Sequence, residues 1–520
     1  MTGDLNTMQS QGKQRYSREF LTVTISTVVL MVLCLIFAPS SAAYGALSGS
    51  LPFAAILAIA GLGQMLVVQQ GGFDLSVPGV VSLAVVIASH YPAGNDAQLL
   101  PAVLLAFACA ITAGALNGIL VGFIRLNAIV ATIGMNALLH GGVFAVSGGV
   151  PRIMVMSRGR IVETLTGADV VEERIVSAAV HAASTAKTRN DGQEAYHSAQ
   201  FSGWRHLVQL DNAPTLPLLI VIILLALFGY SQNPNFLSPF NLANILLLAT
   251  ALGFVALGQT VALLLGAIDL SVGPLMGFVV VISSFFINDG ASSATILAGF
   301  VLMFGAAILV GLVNGILIRY ANFTAIAATL AIFIGLQGCS FLLRDSPGGY
   351  ITYSVVGVIT WKWGPVPVAF IVMVACALLA EFGLRSSRVG RQLRALGSDE
   401  ESSRRIGLKT DRIYIADYVA SAGFAAMGGV MLMAQIGVGD PQQGANYTLA
   451  SITAAVLGGT SLRGGRGTFI GSMLGAVLAT EALSIVTFLG LSQTYQYLFQ
   501  GALVLIAALI YTTARGRRTT

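Results

Sequence analysis

Apolar residues dominate this chain and fall into long runs that are separated by short polar breaks. A first series of runs lies near residues 20–39, 46–68, 76–90, 99–124 and 128–147. A second series lies near 215–233, 243–267, 271–287, 294–319 and 324–343, and continues near 365–384, 413–437, 449–462, 468–490 and 495–512. Because about 20 apolar residues cross a bilayer core as a helix, the pattern predicts an all-α polytopic membrane protein. The first series predicts about five membrane segments and the second about ten, with 449–462 short enough to be re-entrant.

The two series carry matching landmarks at a nearly constant spacing. The octet GGFDLSVP at residues 71–78 resembles GAIDLSVG at 266–273, and each has an aspartate in its middle. Further matched pairs are Gln64 and Gln259, Asn117–Leu120 and Asn314–Leu317, and Ala131-Thr132 and Ala328-Thr329. Matched landmarks in the same order indicate an internal repeat. We therefore predict that residues 20–148, the front segment, are a copy of residues 215–345.

A break in the helical pattern surrounds Asp269. Gly266 precedes it and Gly273-Pro274 follow it, and both residue types free backbone groups inside a membrane helix. A carboxylate here costs at least ~2.5 kcal/mol if it faces lipid, so we expect Asp269 to face the protein interior. Two roles remain open, capping the following helix and lining a substrate path. The candidates for the substrate path are Asp269, Ser271, Gly273, Gln259 and Asn314.

The most polar stretch between apolar runs is Leu384–Arg412, with the sequence LRSSRVGRQLRALGSDEESSRRIGLKTDR. It has eight basic and four acidic residues, and such a basic excess places a loop in the cytoplasm. Residues 398–401 have the pattern of a helix start, with acidic residues in the first turn, and Ile406-Gly407 have that of a helix end. Two interpretations are open: a short polar helix that docks a partner, and a solvated charged loop.

Composition and single residue types narrow the classes of function. Hydrophobic residues make up 56% of the 520 residues and charged residues only 9%, so the net charge of +5 indicates cytoplasmic loops rather than a nucleic-acid surface. The four cysteines lie inside apolar runs without CxxC spacing, which is typical of small buried side chains. The five histidines show no ligand spacing, so we predict no metal site. The sequence has no GxxxxGKS/T loop, and we expect neither bound ATP nor another cofactor.

Three stretches, in order along the chain, resemble signatures of the ribose-type sugar permeases of bacterial ABC importers. They are IDLSVG at 268–273, GRQLRALGSDEESSRRIGL at 390–408 and AAVLGGTSLRGGRGTFIGSMLGA at 454–476. The resemblance covers residues 215–512 as a complete permease and residues 20–148 as the front half of a second one. In that family the cytoplasmic loop helix sits in a cleft of the ATPase subunit, which implies coupling roles for Gly390, Arg391, Gly397, Glu400, Glu401 and Gly407. It also implies a broken helix at Asp269, Ser271 and Gly273, and a glycine-rich turn at Gly458, Gly459, Gly464, Gly465 and Gly467.

By this resemblance the chain is the permease subunit of an ATP-driven importer for a monosaccharide or related polyol in the bacterial inner membrane, and it catalyses no covalent chemistry. The implied partners are a separate ATPase dimer, a second permease chain, a periplasmic substrate-binding protein and membrane lipid, with no nucleic acid. The front segment has no coupling loop, which argues against its serving as the second permease. Where the family carries YELDAIAA, residues 447–454 are YTLASITA and lack both carboxylates, so the sugar stays open.

Three other functions compete with the sugar importer. A branched-chain amino acid permease has a related layout, but the IDLSVG phrase argues against it. An intramembrane aspartyl protease using Asp74 and Asp269 would need a GxGD phrase, which neither octet contains. A fusion product with impaired transport is the third alternative, and it arises from the segment between the two series.

Residues 149–214 do not have the composition of a membrane segment. RIMVM and IVETL joined by SRGR predict a β-hairpin, and residues 169–172 predict a capping box that opens a helix. Residues 152–180 resemble the C-terminal end of the ATPase subunit of the same importers, without its nucleotide-binding motifs. Along the chain, the front half of a permease is followed by the tail of an ATPase and then by a complete permease. This order favours a fusion of neighbouring genes over a purpose-built regulatory insert. The predicted domains are 1–148 (partial permease copy), 149–190 (soluble insert) and 191–520 (complete permease with loop 384–412).

The basic residues set conflicting demands on membrane topology. Lys13, Arg15 and Arg18 place the N-terminus in the cytoplasm, and five crossings from there put residue 150 outside. Six runs lead from residue 215 to the cytoplasmic loop 384–412, so residue 214 must also be cytoplasmic. We expect residues 152–212 to lie in the cytoplasm and one run before them not to cross. The candidates are 76–90, which is the shortest run, and 128–147, which carries Asn136 and His140.

Overall fold

The computed structural model describes residues 18–37, 44–147, 152–157, 160–166, 215–492, 494–502 and 505. The front segment forms α1 (Arg18–Phe37), α2 (Tyr44–Gln69), α3 (Val77–His90), α4 (Leu99–Gly118) and α5 (Ala128–Ser147). The predicted hairpin follows as β1 (Arg152–Ser157) and β2 (Arg160–Thr166), which pair antiparallel. The helix predicted from residue 169, and residues 167–214 as a whole, lie outside the described residues.

The remaining helices, which we call the rear unit, begin at Thr215. They are α6 (Thr215–Gln232), α7 (Pro239–Leu264), α8 (Val272–Phe286), α9 (Ser293–Arg319), α10 (Ala325–Leu343), α11 (Tyr353–Ile359), α12 (Val368–Ser386), α13 (Arg388–Ser398), α14 (Glu400–Arg405), α15 (Thr410–Ile436), α16 (Ala445–Leu457) and α17 (Phe469–Phe488). A terminal helix follows over residues 494–502. Short strands β3 (Gly348–Tyr350), β4 (Lys362–Trp363), β5 (Val366–Pro367) and β6 (Val438–Gly439) lie in the loops.

Hydroxyl caps define where several rear helices begin. The side chains of Ser238, Ser292, Thr324, Ser387 and Thr468 each accept a hydrogen bond from a backbone N–H of the first turn, in α7, α9, α10, α13 and α17. A Ser or Thr cap satisfies one of the N–H groups that a helix start leaves free. The polar breaks between apolar runs are therefore structural signals as well as loops.

Among the described residues, ten helices are long and apolar enough to cross a membrane, three in the front segment and seven in the rear unit. This confirms the all-α polytopic class. The shorter α3, α8 and α16 have 14, 15 and 13 residues. Helices α3 and α8 each begin just after an aspartate break. The matching sequence at the two breaks therefore explains why both helices are short.

The short run at 449–462 differs from the re-entrant segment that its length suggests. Helix α16 is about 20 Å long, too short to cross alone. It continues residues 438–444, which follow α8 along its length. A Cβ at Gly439 would lie 2.3 Å from Ser284 Oγ near the end of α8, and one at Gly444 would lie 2.4 Å from the carbonyl of Gly273 near its start. An irregular stretch and a short helix together make one crossing, with the irregular part buried against protein.

Helix α15 lies at the centre of the rear unit. It packs against α7, α8 and α9, and its buried side chains belong to both of the largest apolar clusters. In the most apolar 18-residue stretch of α7, 83% of the residues are buried. In the equivalent stretch of its front counterpart α2, only 11% are buried. Among the described residues of the front segment no helix takes the position of α15, and α2 lies on the surface.

Helix directions place the two segments in the same orientation. A Cβ at Gly134 would lie 2.7 Å from the side chain of Leu505, and one at Gly141 would lie 2.8 Å from Leu498, so α5 and the terminal helix run antiparallel. The starts of α5 and α10 meet at the end of the molecule where α13 and α14 lie, because Ile129 and Ile326 line one cavity with residues of those helices. Helix α5 therefore ends on the opposite side, contrary to the expectation that the residues directly after it, from 152 on, lie on the same side as loop 384–412.

We predict that a cysteine at Ala97, in the exposed loop between α3 and α4, reacts with a membrane-impermeant maleimide in intact cells. The loop lies at the far end of α3 from the Asp74 break, on the side away from α13. The measurement uses a chain whose four native cysteines are replaced. A cysteine at Ser398, the exposed last residue of α13, should react only after permeabilisation. Protection of Ala97→Cys in intact cells would show that α3 does not cross.

Candidate functional site

Hydrogen bonds to the Asp269 side chain close the break between α7 and α8. One carboxylate oxygen accepts from the backbone N–H of Ser271 at 3.0 Å and from its hydroxyl at 2.6 Å. The other oxygen accepts from the hydroxyl of Ser421, in α15, at 2.9 Å. Asp269 is 1% exposed. Three donors thus satisfy a group whose burial would otherwise be costly.

Gln259 and Asn314, both predicted from the repeat, join the same network. The amide of Gln259 faces the backbone of Asp269, with its nitrogen 2.9 Å from the carbonyl and its oxygen 3.2 Å from the N–H in the orientation that satisfies both. Asn314, in α9, donates to the hydroxyl oxygen of Ser271 at 2.9 Å. Both side chains are fully buried. We call Gln259, Asp269, Ser271, Asn314 and Ser421 the aspartate network, which ties α7, α9 and α15 to the start of α8.

Gly273, the fifth predicted residue, lies beside the network and serves close packing. A Cβ there would lie 2.6 Å from the carbonyl oxygen of Gly444 and 2.3 Å from the hydroxyl of Thr448. That hydroxyl donates to the carbonyl of Leu270 at 3.2 Å, which joins α16 to the break. The bond from Asp269 to the N–H two residues on has the geometry of a local turn cap. A role of these residues in a substrate path stays a prediction.

The front segment has the same arrangement at Asp74. Its carboxylate accepts from the N–H and hydroxyl of Ser76 at 2.8 and 2.6 Å, and Asn117 donates to that hydroxyl at 2.9 Å. The amide of Gln64 faces the backbone N–H and carbonyl of Asp74, both at 3.1 Å. No donor in the described residues takes the place of Ser421. Asp74 is only half-buried, and no helix within the described ranges covers it as α15 covers Asp269.

Two residues of α15 that lie at or near this site were not predicted from the sequence. Ser421 lies in an apolar run, where a serine carries no signal that it will meet Asp269. Asp417, one turn earlier, is 4% exposed, and neither of its carboxylate oxygens has a hydrogen-bond partner among the described residues. The sequence does contain a signal for Asp417, because an acidic residue inside a membrane run marks a functional or structural site.

The polar loop folds into two helices rather than one. Asp399 separates them, and its carboxylate accepts a hydrogen bond from the backbone N–H of Ser402 and so caps α14. Ile406 and Gly407, which has φ of 85°, end α14 as predicted. We call α13 and α14 the coupling helices.

The two adjacent glutamates of α14 face different surroundings. Glu400 accepts from Arg319, at the end of α9, at 2.7 Å and from the hydroxyl of Tyr414 at 3.2 Å. Arg319 also pairs with Asp411 at 2.6 Å. Burial would raise the pKa of the Glu400 carboxyl, but the hydrogen bond and charge of Arg319 outweigh it and hold that pKa below its usual value. The ion pair is therefore complete at neutral pH and fixes α14 to α9 and α15.

Glu401 points to solvent. Its side chain is 75% exposed and pairs with Arg405, one turn along the same helix. Exposed pairs of this kind contribute little to stability. Of the two glutamates, Glu401 is thus the one available to a partner, and Glu400 is the one that positions the helix.

Two glycine signatures that are distant in sequence meet at the carboxyl end of α7. The N–H of Gly465 donates to the carbonyl of Leu264 at 2.8 Å, and a Cβ at Gly397, in α13, would lie 1.7 Å from that carbonyl oxygen. A Cβ at Gly464 would lie 2.4 Å from the carbonyl of Gly397 and 2.7 Å from the nitrogen of Gly266. We call Gly266, Gly397, Gly464 and Gly465 the glycine junction. It brings the end of α13, the glycine-rich turn and the α7–α8 break into backbone contact.

The other predicted residues of the loop and turn surround this junction. Gly390 lets α13 approach the end of α12, since a Cβ would lie 2.3 Å from the carbonyl of Leu384. Arg391 is exposed and donates to the carbonyl of Ser386 at 2.9 Å. In the glycine-rich turn, Gly458 and Gly467 are closely packed and Gly459 has φ of 88°.

A cavity of about 1150 Å³ opens beside the glycine junction. Its lining includes the backbone of the α7–α8 break, the ends of both coupling helices and charged residues such as Arg319 and Lys409. Ile129 of the front segment also contributes. The cavity therefore joins the break to the polar face of the molecule.

This architecture, with a broken helix anchored inside a helical bundle and a polar helix pair on one face, is that of a membrane permease. The family described as "Branched-chain amino acid transport system / permease component" matches the chain twice, over residues 46–231 and 241–508. The chain therefore belongs to this family. It is a multi-pass membrane transport permease and not an enzyme.

Individual relatives are named as sugar permeases. The L-arabinose ABC transporter permease protein of Azospirillum brasilense is 32% identical over 310 residues, covering 58% of this chain and 88% of that protein. The ribose import permease protein of Bacillus subtilis is 31% identical, covering 57% of this chain and 91% of that protein. The galactose/methyl galactoside import permease protein of Haemophilus influenzae is 30% identical, covering 56% and 92%. These matches confirm the resemblance inferred from the three signatures. No solved structure matches the chain.

We predict that Asp269→Ala lowers the free energy of unfolding by at least about 2 kcal/mol, because it leaves the Ser271 and Ser421 hydroxyls buried without their acceptor. Asp74→Ala should cost less, since Asp74 is half-buried and lacks the third donor. Denaturant unfolding of the detergent-solubilised chain measures both. Equal losses at the two positions would contradict the importance given to α15.

We also predict different effects at the adjacent glutamates. Glu400→Gln should increase hydrogen exchange over residues 399–408, because it weakens the ion pair that fixes α14. Glu401→Gln should leave exchange unchanged and serves as the matched control. The account of the two environments is wrong if the two variants exchange alike.

Proposed function

We propose that this chain is the permease subunit of an ATP-driven importer for a monosaccharide or related polyol. The glycine junction carries the proposal, because it connects an exposed polar helix pair directly to the backbone of a broken membrane helix. The relatives are named as permeases for arabinose, ribose and galactose, which favours a sugar over an amino acid despite the description of the family. Residues 447–454, without carboxylates, leave the particular sugar open.

The proposed mechanism transmits movement through backbone contacts. An ATPase dimer docks on the coupling helices, with Glu401 and Arg391 exposed to it. Arg319 and Glu400 keep α14 attached to α9 and α15, so a displaced helix pair moves those helices with it. Gly397 presses on the carbonyl of Leu264, and the movement of α13 therefore reaches the α7–α8 break. The aspartate network then moves as a unit and opens or closes the substrate path beside it.

The other parts of the importer follow from its class. A periplasmic substrate-binding protein delivers the sugar to the outer face, and lipid surrounds the exposed apolar helices. The ATPase subunit binds the nucleotide, so this chain needs no cofactor of its own. A second permease unit is required opposite the rear unit, and nucleic acid has no part in the process. A fusion product whose transport is impaired remains the alternative, because the front segment is incomplete.

We predict that Gly397→Ala uncouples ATP hydrolysis from transport. A Cβ there would fall 1.7 Å from the carbonyl oxygen of Leu264, so the end of α13 must move away from α7. The measurement is sugar uptake and sugar-stimulated ATP hydrolysis by vesicles containing the chain, its ATPase and its binding protein. Uptake should fall strongly while the ATPase still co-purifies with the variant.

The control is Gly423→Ala in α15, where an added Cβ meets nothing within 4 Å. It should transport normally. The proposed path of coupling is refuted if Gly397→Ala transports as well as this control. A panel of pentoses, hexoses, polyols and branched-chain amino acids in the same vesicles tests the substrate class, and stimulation by amino acids alone would refute the sugar.

A further inference from the structure

The front segment packs against the rear unit through the neighbourhoods of the two aspartate breaks. One apolar cluster contains Leu126, Val130, Ala131 and Ile133 of the front segment together with Leu263, Ile268, Leu270, Leu330, Ile452 and Ala455 of the rear unit. A second cluster joins Val68, Phe73 and Ile129 of the front segment to Ile326 in α10. These contacts surround the region where both broken helices begin.

The residues in these clusters correspond in pairs under the internal repeat. Five front residues in the two clusters have their matched rear residues in the same clusters. The pairs are Val68 and Leu263, Phe73 and Ile268, Leu75 and Leu270, Ile129 and Ile326, and Ile133 and Leu330. A two-fold interface between identical subunits has this property, because the same patch is used on both sides. A fused fragment held by arbitrary contacts would not bury matched positions on both partners.

Rear helices cover α5 in addition. Phe144 stacks on Tyr497 of the terminal helix with ring centroids 5.1 Å apart, and Gly141 lies against Leu498. These contacts have no counterpart on the other side of the interface, because the front segment has no later helices. The pairing is therefore asymmetric at its edges and matched at its centre.

The opposite face of the front segment lacks the helix that completes the rear unit. Gly258, Gly311 and Gly315 lie against α15, and a Cβ at each would fall within 3 Å of its atoms. A Cβ at the matched residues Gly63, Gly114 and Gly118 would meet nothing within 4 Å in the part of the chain that the structure describes. As far as the structure describes it, the front segment is thus a half unit that keeps the pairing face and has no helix in the α15 position.

We infer that the front segment takes the place of the second permease unit, so that one chain supplies both sides of the interface at the two breaks. This inference rests on the proposed function, since only a permease needs a paired unit. The missing coupling loop does not prevent the front segment from taking this role, because the two units pair through the breaks and not through the loop. A second copy of the chain is then excluded from this face, and the transporter presents one pair of coupling helices.

Cysteine crosslinking of the full-length chain tests the inference. In a background with the four native cysteines replaced by serine, Ile129→Cys combined with Ile326→Cys should give an intrachain product with a short bifunctional maleimide. The product is detected as a peptide linking α5 to α10 in a chain of monomer mass. Ile129→Cys with Leu342→Cys is the matched control, because Leu342 lies at the other end of α10 and is 88% exposed. It should give no such product.

The single variant Ile326→Cys separates the two kinds of pairing. If two rear units pair across a two-fold axis, their Ile326 residues face each other and the single variant crosslinks into a dimer. We expect no dimer from it. A dimer from the single variant, or no intrachain product from the double variant, overturns the inference. Neither result bears on sugar uptake, so the proposed function can fail or stand separately.

Discussion

The carboxylate of Asp269 determines how the rear unit is assembled around the break between α7 and α8. Gly266 and the residues after it end α7 inside the bundle, and backbone groups released there need partners. Asp269 supplies one by accepting from Ser271, and its second oxygen reaches Ser421 on α15. An apolar side chain would leave the break open and α15 without a polar anchor. The cost of burying a charge is thus offset by fixing three helices at one point.

The polar face with the coupling helices is connected to this anchor. Helix α15 begins at Thr410, beside the ion pair of Arg319 with Glu400 and Asp411, and carries Ser421 further along the same helix. The glycine junction adds a second connection, from α13 to the end of α7. In the proposed mechanism, displacement of the coupling helices reaches the break through α15 and through this backbone contact. The first connection ends at Ser421 in the aspartate network and the second at Leu264 and Gly266, so both end at the α7–α8 break.

Local sequence signals predicted much of this structure. Run length gave the membrane helices, glycine and proline gave the breaks, and Asp399 with two glutamates gave the start of α14. Matched landmarks also identified four members of the aspartate network before any contact was known. Each of these signals is local, since length, capping and turn chemistry depend on neighbouring residues.

Long-range contacts were not predictable in the same way. Ser421 is one hydroxyl in an apolar run, and nothing near it in sequence indicates Asp269. Glu400 and Glu401 are chemically identical neighbours, and only the position of Arg319 on another helix turns one inward. The short run at 449–462 suggested a re-entrant segment because an irregular crossing has no periodicity. The matched interface of the front segment likewise depends on how two distant parts of the chain pack.

In the proposed mechanism, α13, the glycine-rich turn and the α7–α8 break move as one body when the ATPase acts. Spin labels at Arg388, at the start of α13, and at Arg463, in the turn, measure this directly. Both residues are exposed, and the labelled chain is assembled with its ATPase in vesicles. If α13 and the turn move together, the distance distribution is the same without nucleotide and with bound ATP. A distribution that shifts when ATP binds would show that α13 separates from the glycine-rich turn, and would refute the joint movement.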